Sequence, residues 1–381
     1  MSIMTARAAP PSIFDRVRSI HWLLVLCLVA VAAISCVLLY SAGGGNFKPW
    51  ADKQIQRFAV AFALMMFAAL TPLRVWFKLA YPVFFGSVAL LALVEFFGRQ
   101  GKGAVRWIDL GIISLQPSEL VKVALVLALA RYFQRLRFES VGKLWALFIP
   151  IAMTVVPAGL VLKQPDLGTA AILLAVAGLV LFMAGVQVWK FGVVILVAAA
   201  AAPFAYSKLH DYQKERLLTF LDPERDPLGS GYHIIQSKIA FGSGGLFGKG
   251  FLEGTQIRLN FLPEFHTDFV LSVLAEEFGM MGGIVLLGLY LAILFVTLAI
   301  AFRARTQFAR LACVGMAATL FLHLGINMAM VMGALPVVGV PLPLVSFGGT
   351  AMFTLMIGFG IVLSAHIYRQ ERLGGKLLDD D

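Results

Sequence analysis

Asp268 is the residue of this 381-residue chain best placed to act as a base. It ends the stretch Leu262-Pro-Glu-Phe-His-Thr-Asp-Phe269 and is the last charge before a long apolar run. At the surface of a membrane such a carboxylate is partly desolvated, which makes it a better proton acceptor. Its position alone also suits a plain N-cap for the helix that follows. Glu264, His266 and Asp268 alternate, so an extended backbone would turn all three toward one cation, a set that could loosely hold a divalent ion.

Three other constellations carry charge where charge is costly. Glu119 and Lys122 lie three apart inside an apolar run, hence on one face of a helix, where they can neutralise each other. They read either as a functional pair or as an ion pair that fixes helix packing. Asp166, in Gln164-Pro-Asp-Leu-Gly-Thr169, opens another run, where a carboxylate suits the positive end of a helix and can serve simply as a cap. Gly242-Ser-Gly-Gly-Leu-Phe-Gly-Lys-Gly250 fails as a phosphate loop, because Ser243 and Gly250 stand where that motif needs Gly and then Ser or Thr. What remains is a glycine-rich turn that could bring N–H groups and Lys249 to an anion, or a flexible connection. Glu95, Glu276 and Glu277 sit near the ends of apolar runs and ask for less explanation.

The elements that hold these residues are membrane spans. Hydrophobic residues make up 60% of the chain, charged residues 14%, and the mean hydropathy is +0.87. A soluble domain is about 25% charged. Apolar runs long enough to cross hydrocarbon, about 20 residues each, fall near 21–41, 55–72, 75–96, 115–133, 144–163, 166–185, 188–206, 269–301, 311–332 and 346–368. The run at 269–301 is long enough that it must tilt or extend into water. The first run is too long for the apolar core of a signal peptide, about 7–15 residues. The fold class expected is an all-α polytopic membrane protein of about ten transmembrane helices. Lys and Arg choose the orientation: Arg16, Arg18, Arg74, Arg135, Arg303 and Arg369 gather on one side, which predicts cytoplasmic tails at 1–20 and 369–381. The same asymmetry accounts for the net charge of +10 without any nucleic-acid partner. Cys27, Cys36 and Cys313 lie in apolar runs and read as small packing residues. The segment 207–268 is a long extracytoplasmic loop between the seventh and eighth spans. It is rich in Phe, Tyr and Ile, and the spacing within Tyr232–Phe241 predicts a short helix on, or dipping into, the outer leaflet.

In this setting the chain resembles, over nearly its whole length, the SEDS family (shape, elongation, division and sporulation) of peptidoglycan glycosyltransferases. The resemblance rests on seven motifs in order: Arg106-Trp107-Ile-Asp109; Gln116-Pro-Ser-Glu119 with Lys122; Gln164-Pro-Asp-Leu-Gly-Thr169; Asp226-Pro-Leu-Gly-Ser-Gly-Tyr232; Gln236-Ser237 with Gly242-Ser-Gly-Gly245; Leu262-Pro-Glu-Phe-His-Thr-Asp-Phe269; and Gly339-Val-Pro-Leu-Pro-Leu-Val-Ser-Phe-Gly-Gly349. The wording Val340-Pro-Leu-Pro-Leu-Val345 is closer to the elongation branch, RodA, than to the division branch, FtsW. Phe265, where a polar residue is expected, and Phe347, in place of a common Tyr, depart from the pattern.

The resemblance implies a single membrane domain over 1–381 in a bacterial inner membrane, with an active site facing the periplasm. It implies that lipid II is polymerised with inversion at the anomeric carbon during cell elongation, with Asp268 as the base. Trp107 and the Glu119–Lys122 pair match family positions. A direct displacement needs a base for the acceptor hydroxyl and positive charge for the leaving pyrophosphate. Arg106, Arg216, Lys238, Lys249 and Arg258 are candidates for binding substrate, alone or through a divalent cation, Mg or Mn; so are Trp107, Glu119, Lys122 and Asp166. The implied partner is a class B penicillin-binding protein, since no Ser-x-x-Lys signature occurs here within a soluble domain. The alternatives are a transporter that flips lipid II and a non-catalytic scaffold for cell-wall enzymes.

Overall fold

A computed structural model of the chain describes residues 12–97, 99–101, 104–109, 114–208, 211–222, 225, 230–259, 261, 265–371 and 373. Ile13–Arg18 (α1) precedes Trp22–Ala42 (α2), Ala51–Leu70 (α3) and Leu73–Phe97 (α4). Three short strands follow: Arg99–Gly101 (β1), Ala104–Asp109 (β2) and Ser114–Leu115 (β3). Pro117–Arg135 (α5), Leu144–Lys163 (α6), Leu167–Ala184 (α7) and Val188–Lys208 (α8) come next. The 207–268 stretch holds Asp211–Leu221 (α9), Ser230–Ser243 (α10) and Thr255–Arg258 (α11), and the chain closes with Val270–Arg303 (α12), Gln307–Val331 (α13) and Gly349–Ile367 (α14).

Each apolar run of the sequence coincides with one long helix, and among the described residues eight helices are long and apolar enough to cross a membrane. α5 falls short on composition because Glu119, Lys122, Arg131 and Arg135 share its 19 residues. It is nevertheless enclosed, with Val121, Leu125 and Leu129 fully buried. α13 is the centre of the bundle: it packs on α5, α7, α10, α12 and α14. α3 lies along α14, and α2 along α12. α8 exposes most of its apolar side chains, Val193–Val197 among them, as befits a helix that meets lipid tails rather than protein.

The gap between the third and fourth runs is a small antiparallel sheet in the order β1-β2-β3, with Arg99 opposite Trp107 and Ile108 opposite Leu115. Side chains alternate along a strand, so Arg106 and Trp107 point to opposite faces.

The long eighth run solves its excess length by breaking. α12 kinks at Gly279, whose φ of 62° and ψ of −158° only glycine adopts readily. A kink leaves backbone groups without helical partners. The glycine-rich stretch supplies them. The Met280 and Met281 amides donate to the Gly245 and Leu246 carbonyls, both at 3.0 Å, while the Lys249 amide donates to the Glu276 carbonyl at 2.9 Å. Gly244 and Gly248 are required by this close approach: a β-carbon would stand 1.9 Å from the Ala275 oxygen or 2.1 Å from the Glu277 oxygen. This corrects the expectation of a flexible or anion-binding turn. Gly279→Ala should cost about 2 kcal/mol or more, read as a lower thermal midpoint of the purified protein in detergent.

The helix expected at Tyr232–Phe241 is present as α10, but it docks on the bundle instead of lying free on a leaflet. The Ser237 hydroxyl is buried, donates to the Val331 carbonyl at 2.6 Å and lies 2.9 Å from the Ser272 hydroxyl.

Candidate active site

The Asp268 segment is clamped through its backbone. Three successive carbonyls are each held: that of His266 by the Phe347 amide at 2.9 Å, that of Thr267 by the Ser346 hydroxyl, and that of Asp268 by the Asn327 side-chain amide at 2.9 Å. The same Asn327 amide also holds the Val340 carbonyl at 2.7 Å. Behind this stands α2, whose Ser35 hydroxyl donates to the Val345 carbonyl at 2.7 Å, steadied by Gln54 at 3.0 Å. Leu344 takes a positive φ of 63°, a strained choice that persists because its neighbours are so thoroughly bonded.

Residues 265–269 form turns, not an extended strand, so the alternation of Glu264, His266 and Asp268 toward one cation does not hold. Glu264 itself lies outside the described residues. The His266 ring stacks on Trp50 with centroids 3.9 Å apart, and Phe347 meets Trp50 edge-on at 5.1 Å. Among the described residues no three His, Cys, Asp or Glu side chains are grouped to hold a metal ion. The N-cap of α12 is Phe269, and no side chain caps it. Asp268 is thus not the cap of that helix. Its half-buried carboxylate lies over Gly339, where a β-carbon would come within 3.6 Å of Oδ2.

The Glu119–Lys122 pair sits behind the same loop. Lys122 Nζ lies 2.7 Å from Glu119 Oε1 and 2.7 Å from His323 Nε2, and all three side chains are buried. His323 Nδ1 is 2.7 Å from the Thr319 carbonyl. A carbonyl only accepts, so Nδ1 carries the hydrogen and Nε2 accepts from the ammonium. These charges line a cavity that Pro341, Leu342 and Ser346 also line. They share that cavity with the loop that clamps Asp268.

Asp166 caps α7 by accepting from the Thr169 amide at 3.1 Å, and its other oxygen lies 3.6 Å from Arg106 Nη1. Arg106 also donates to the Gln164 carbonyl at 3.0 Å and to that of Pro165. The first turn of α7 abuts residues 338–340, since a β-carbon on Gly168 would meet Val338 and Val340 at 3.2 Å. The Arg106–Asp166 pair is thereby tied to the piece of chain on which the Asp268 carboxylate rests. Trp107 is half-buried on the other face of β2.

The remaining basic candidates separate. Lys249 is committed to Glu276 at 2.7 Å, with Thr255 at 2.9 Å. Lys238 is folded over Gly333 at the end of α13. Arg258 is exposed and lines a separate cleft with Glu277. Nothing is described of the Arg216 side chain. A cation the sequence did not single out lies closer to the clamp: Arg57 of α3, with its guanidinium 4.3 Å from the centre of the Phe347 ring. Glu276 and Glu277, read as ordinary end-of-run charges, are 0% and 2% exposed. Asn327 and His323 carried a legible signal, as polar side chains within one apolar run.

A protein-family model for cell cycle proteins, FtsW/RodA/SpoVE, matches residues 16–371. The peptidoglycan glycosyltransferase MrdB of Escherichia coli (strain K12) is 45% identical over 353 residues, covering 91% of this chain and 93% of that protein. MrdB of Helicobacter pylori (strain ATCC 700392 / 26695) is 36% identical over 321 residues, 83% of each. Among solved structures, a chain from work on the structural coordination of polymerization and crosslinking by a peptidoglycan synthase complex matches with a TM-score of 0.77 at 36% identity, over 93% of this chain and 99% of that one. The rod shape determining protein RodA of Thermus thermophilus matches with a TM-score of 0.71 at 31% identity, over 93% of this chain and 98% of that one.

Proposed function

The chain belongs to the FtsW/RodA/SpoVE family, and from that premise we propose that Asp268 is the general base of its glycosyl transfer. The chain is a multi-pass membrane protein and a peptidoglycan glycosyltransferase of the elongation type. Its substrate is lipid II. Both termini are cytoplasmic and Asp268 works on the periplasmic side.

In the reaction Asp268 accepts the proton of the acceptor 4-hydroxyl as that oxygen bonds to the anomeric carbon of the donor. The bond from that carbon to the pyrophosphate breaks on the opposite face, so the configuration inverts and the electron pair leaves with the pyrophosphate. No covalent nucleophile is needed. The observation that carries this reading is the clamp on the carbonyls of His266, Thr267 and Asp268. A base must be held within hydrogen-bond reach of the proton it takes, and a backbone fixed at three consecutive residues does that.

The leaving group needs positive charge that is not already neutralised. Arg57 meets that condition: it rests on Phe347, beside the clamp, and among the described residues it makes no salt bridge. Arg57→Ala should lower kcat on lipid II about tenfold or more, with Arg57→Lys recovering part of the loss; steady-state kinetics on purified variants checks it.

A class B penicillin-binding protein cross-links the product. The similarity to a chain of a polymerising and crosslinking synthase complex supports that partner. Incubation of the purified chain with lipid II, with and without that partner and with EDTA or Mg, tests the whole reading on a glycan gel. A ladder of glycan chains is expected. A flippase or a scaffold gives none under any of these conditions.

A further inference from the structure

The chemistry above does not use the cations at the end of α5 away from Glu119, where that helix packs on α4. Pro82 lies inside α4 and has no N–H for the Lys78 carbonyl four residues before it. Arg131 takes that carbonyl instead, its Nη1 donating at 2.8 Å. The guanidinium is thereby held over the Tyr81 ring, 4.3 Å from its centre, and over the Phe77 ring at 5.1 Å. Arg135, one turn on, lies over the same Phe77 ring at 5.7 Å. Phe77 is fixed in turn by Phe308, edge-on at 5.3 Å. Like charges four apart on a helix repel, yet one buried ring gathers these two. Among the described residues neither arginine makes a salt bridge, and Glu139, four residues past Arg135, pairs with neither. Lys78 adds a third cation to this stretch of α4 and is also without a salt bridge there.

Cations near the C-terminus of α5 suit its dipole, and Lys and Arg collect on the cytoplasmic side of a membrane. Neither effect asks for guanidiniums seated on rings and locked by a carbonyl that a proline has freed. The donors left over suit an oxyanion. In Arg131, Nη1 is spent and Nε is buried, which leaves Nη2. Arg135 is exposed and offers its whole fork. Such planar forks match the oxygens of a phosphate. The flank is apolar: Phe85, one turn nearer the middle of α4 than Tyr81, is 62% exposed, and Leu79 and Val83 are exposed too. A soluble anion gains nothing from that flank, whereas a lipid uses both parts, its phosphate on the arginines and its acyl chains on α4. We propose that Arg131 and Arg135, with the added charge of Lys78, bind the phosphate of an anionic phospholipid in the cytoplasmic leaflet.

The test uses the full chain in detergent, stripped of lipid and titrated with phosphatidylglycerol or with phosphatidylcholine of the same acyl chains. Retained lipid is counted by native mass spectrometry. Wild type should hold the anionic lipid about tenfold or more tightly than the zwitterionic one. Arg131→Gln and Arg135→Gln should each weaken phosphatidylglycerol about fivefold and leave phosphatidylcholine unchanged. Arg135 is exposed, so its variant decides the matter even if Arg131→Gln fails to fold. Arg18→Gln, which removes an exposed cation of α1, should bind as wild type does. The proposal is overturned if the two lipids bind alike, if Arg135→Gln holds phosphatidylglycerol as tightly as wild type, or if Arg18→Gln weakens it as much. A thermal midpoint raised as far by inorganic phosphate or by a hexaglutamate peptide as by the lipid would assign the arginines to a soluble anion or an acidic protein, and would equally overturn it.

Discussion

Asp268→Asn, purified in detergent, should fold and insert like the wild type and polymerise lipid II at least about a hundredfold more slowly, the lower bound for removing a positioned general base. The substitution is isosteric and leaves the clamp alone, because every bond of that clamp goes to backbone carbonyls. The carboxylate is not the cap of α12, since no side chain caps that helix. Folding and chemistry are therefore separable at this residue. An unchanged thermal midpoint with an empty lane on the glycan gel is the expected pair of results. A variant that polymerises at wild-type rate would remove Asp268 from the mechanism.

Lys122→Met should be the most damaging substitution away from Asp268. It removes the one ammonium that both Glu119 and His323 contact, each at 2.7 Å, and leaves a buried carboxylate without its counter-charge. Breaking a buried ion pair from one side costs about 3–5 kcal/mol. The loss should reach activity as well, because the triad lines the same cavity as Ser346, which holds Thr267. Adding Glu119→Gln removes the stranded charge. The double variant should therefore lose less than the sum of the two single variants, in thermal stability and in polymerisation rate alike. Purely additive losses on both readouts would mean that the pair does not act as a unit.

Local patterns made part of this legible in the chain. Length of apolar run placed the long helices. Spacing alone put Glu119 and Lys122 on one face, and Asp166 at the head of α7, where it does cap the helix. Non-local contacts stayed hidden. His323 is 201 residues from Lys122, and nothing in periodicity pairs them, because α13 is apolar nearly all round and shows no preferred face. Ser346 and Phe347 fell within a recognised motif, but their bonds to residues 79 and more positions away gave no local signal. The glycine-rich turn was misjudged for a related reason. Its glycines answer a kink at Gly279, some 30 residues on, that sequence shows only as an excess of helix length. The charges at Glu276 and Glu277 looked ordinary at the end of an apolar run and are buried by the same docking.

The most direct test of Asp268 as the base is the pH profile of kcat/KM on lipid II, measured for wild type and Asp268→Asn side by side. Wild type should lose rate with unit slope on the acid side, as the carboxylate takes up its proton, and the residual rate of the variant should show no such limb. An acid limb that survives unchanged in Asp268→Asn would assign the proton acceptor to another group and contradict the mechanism.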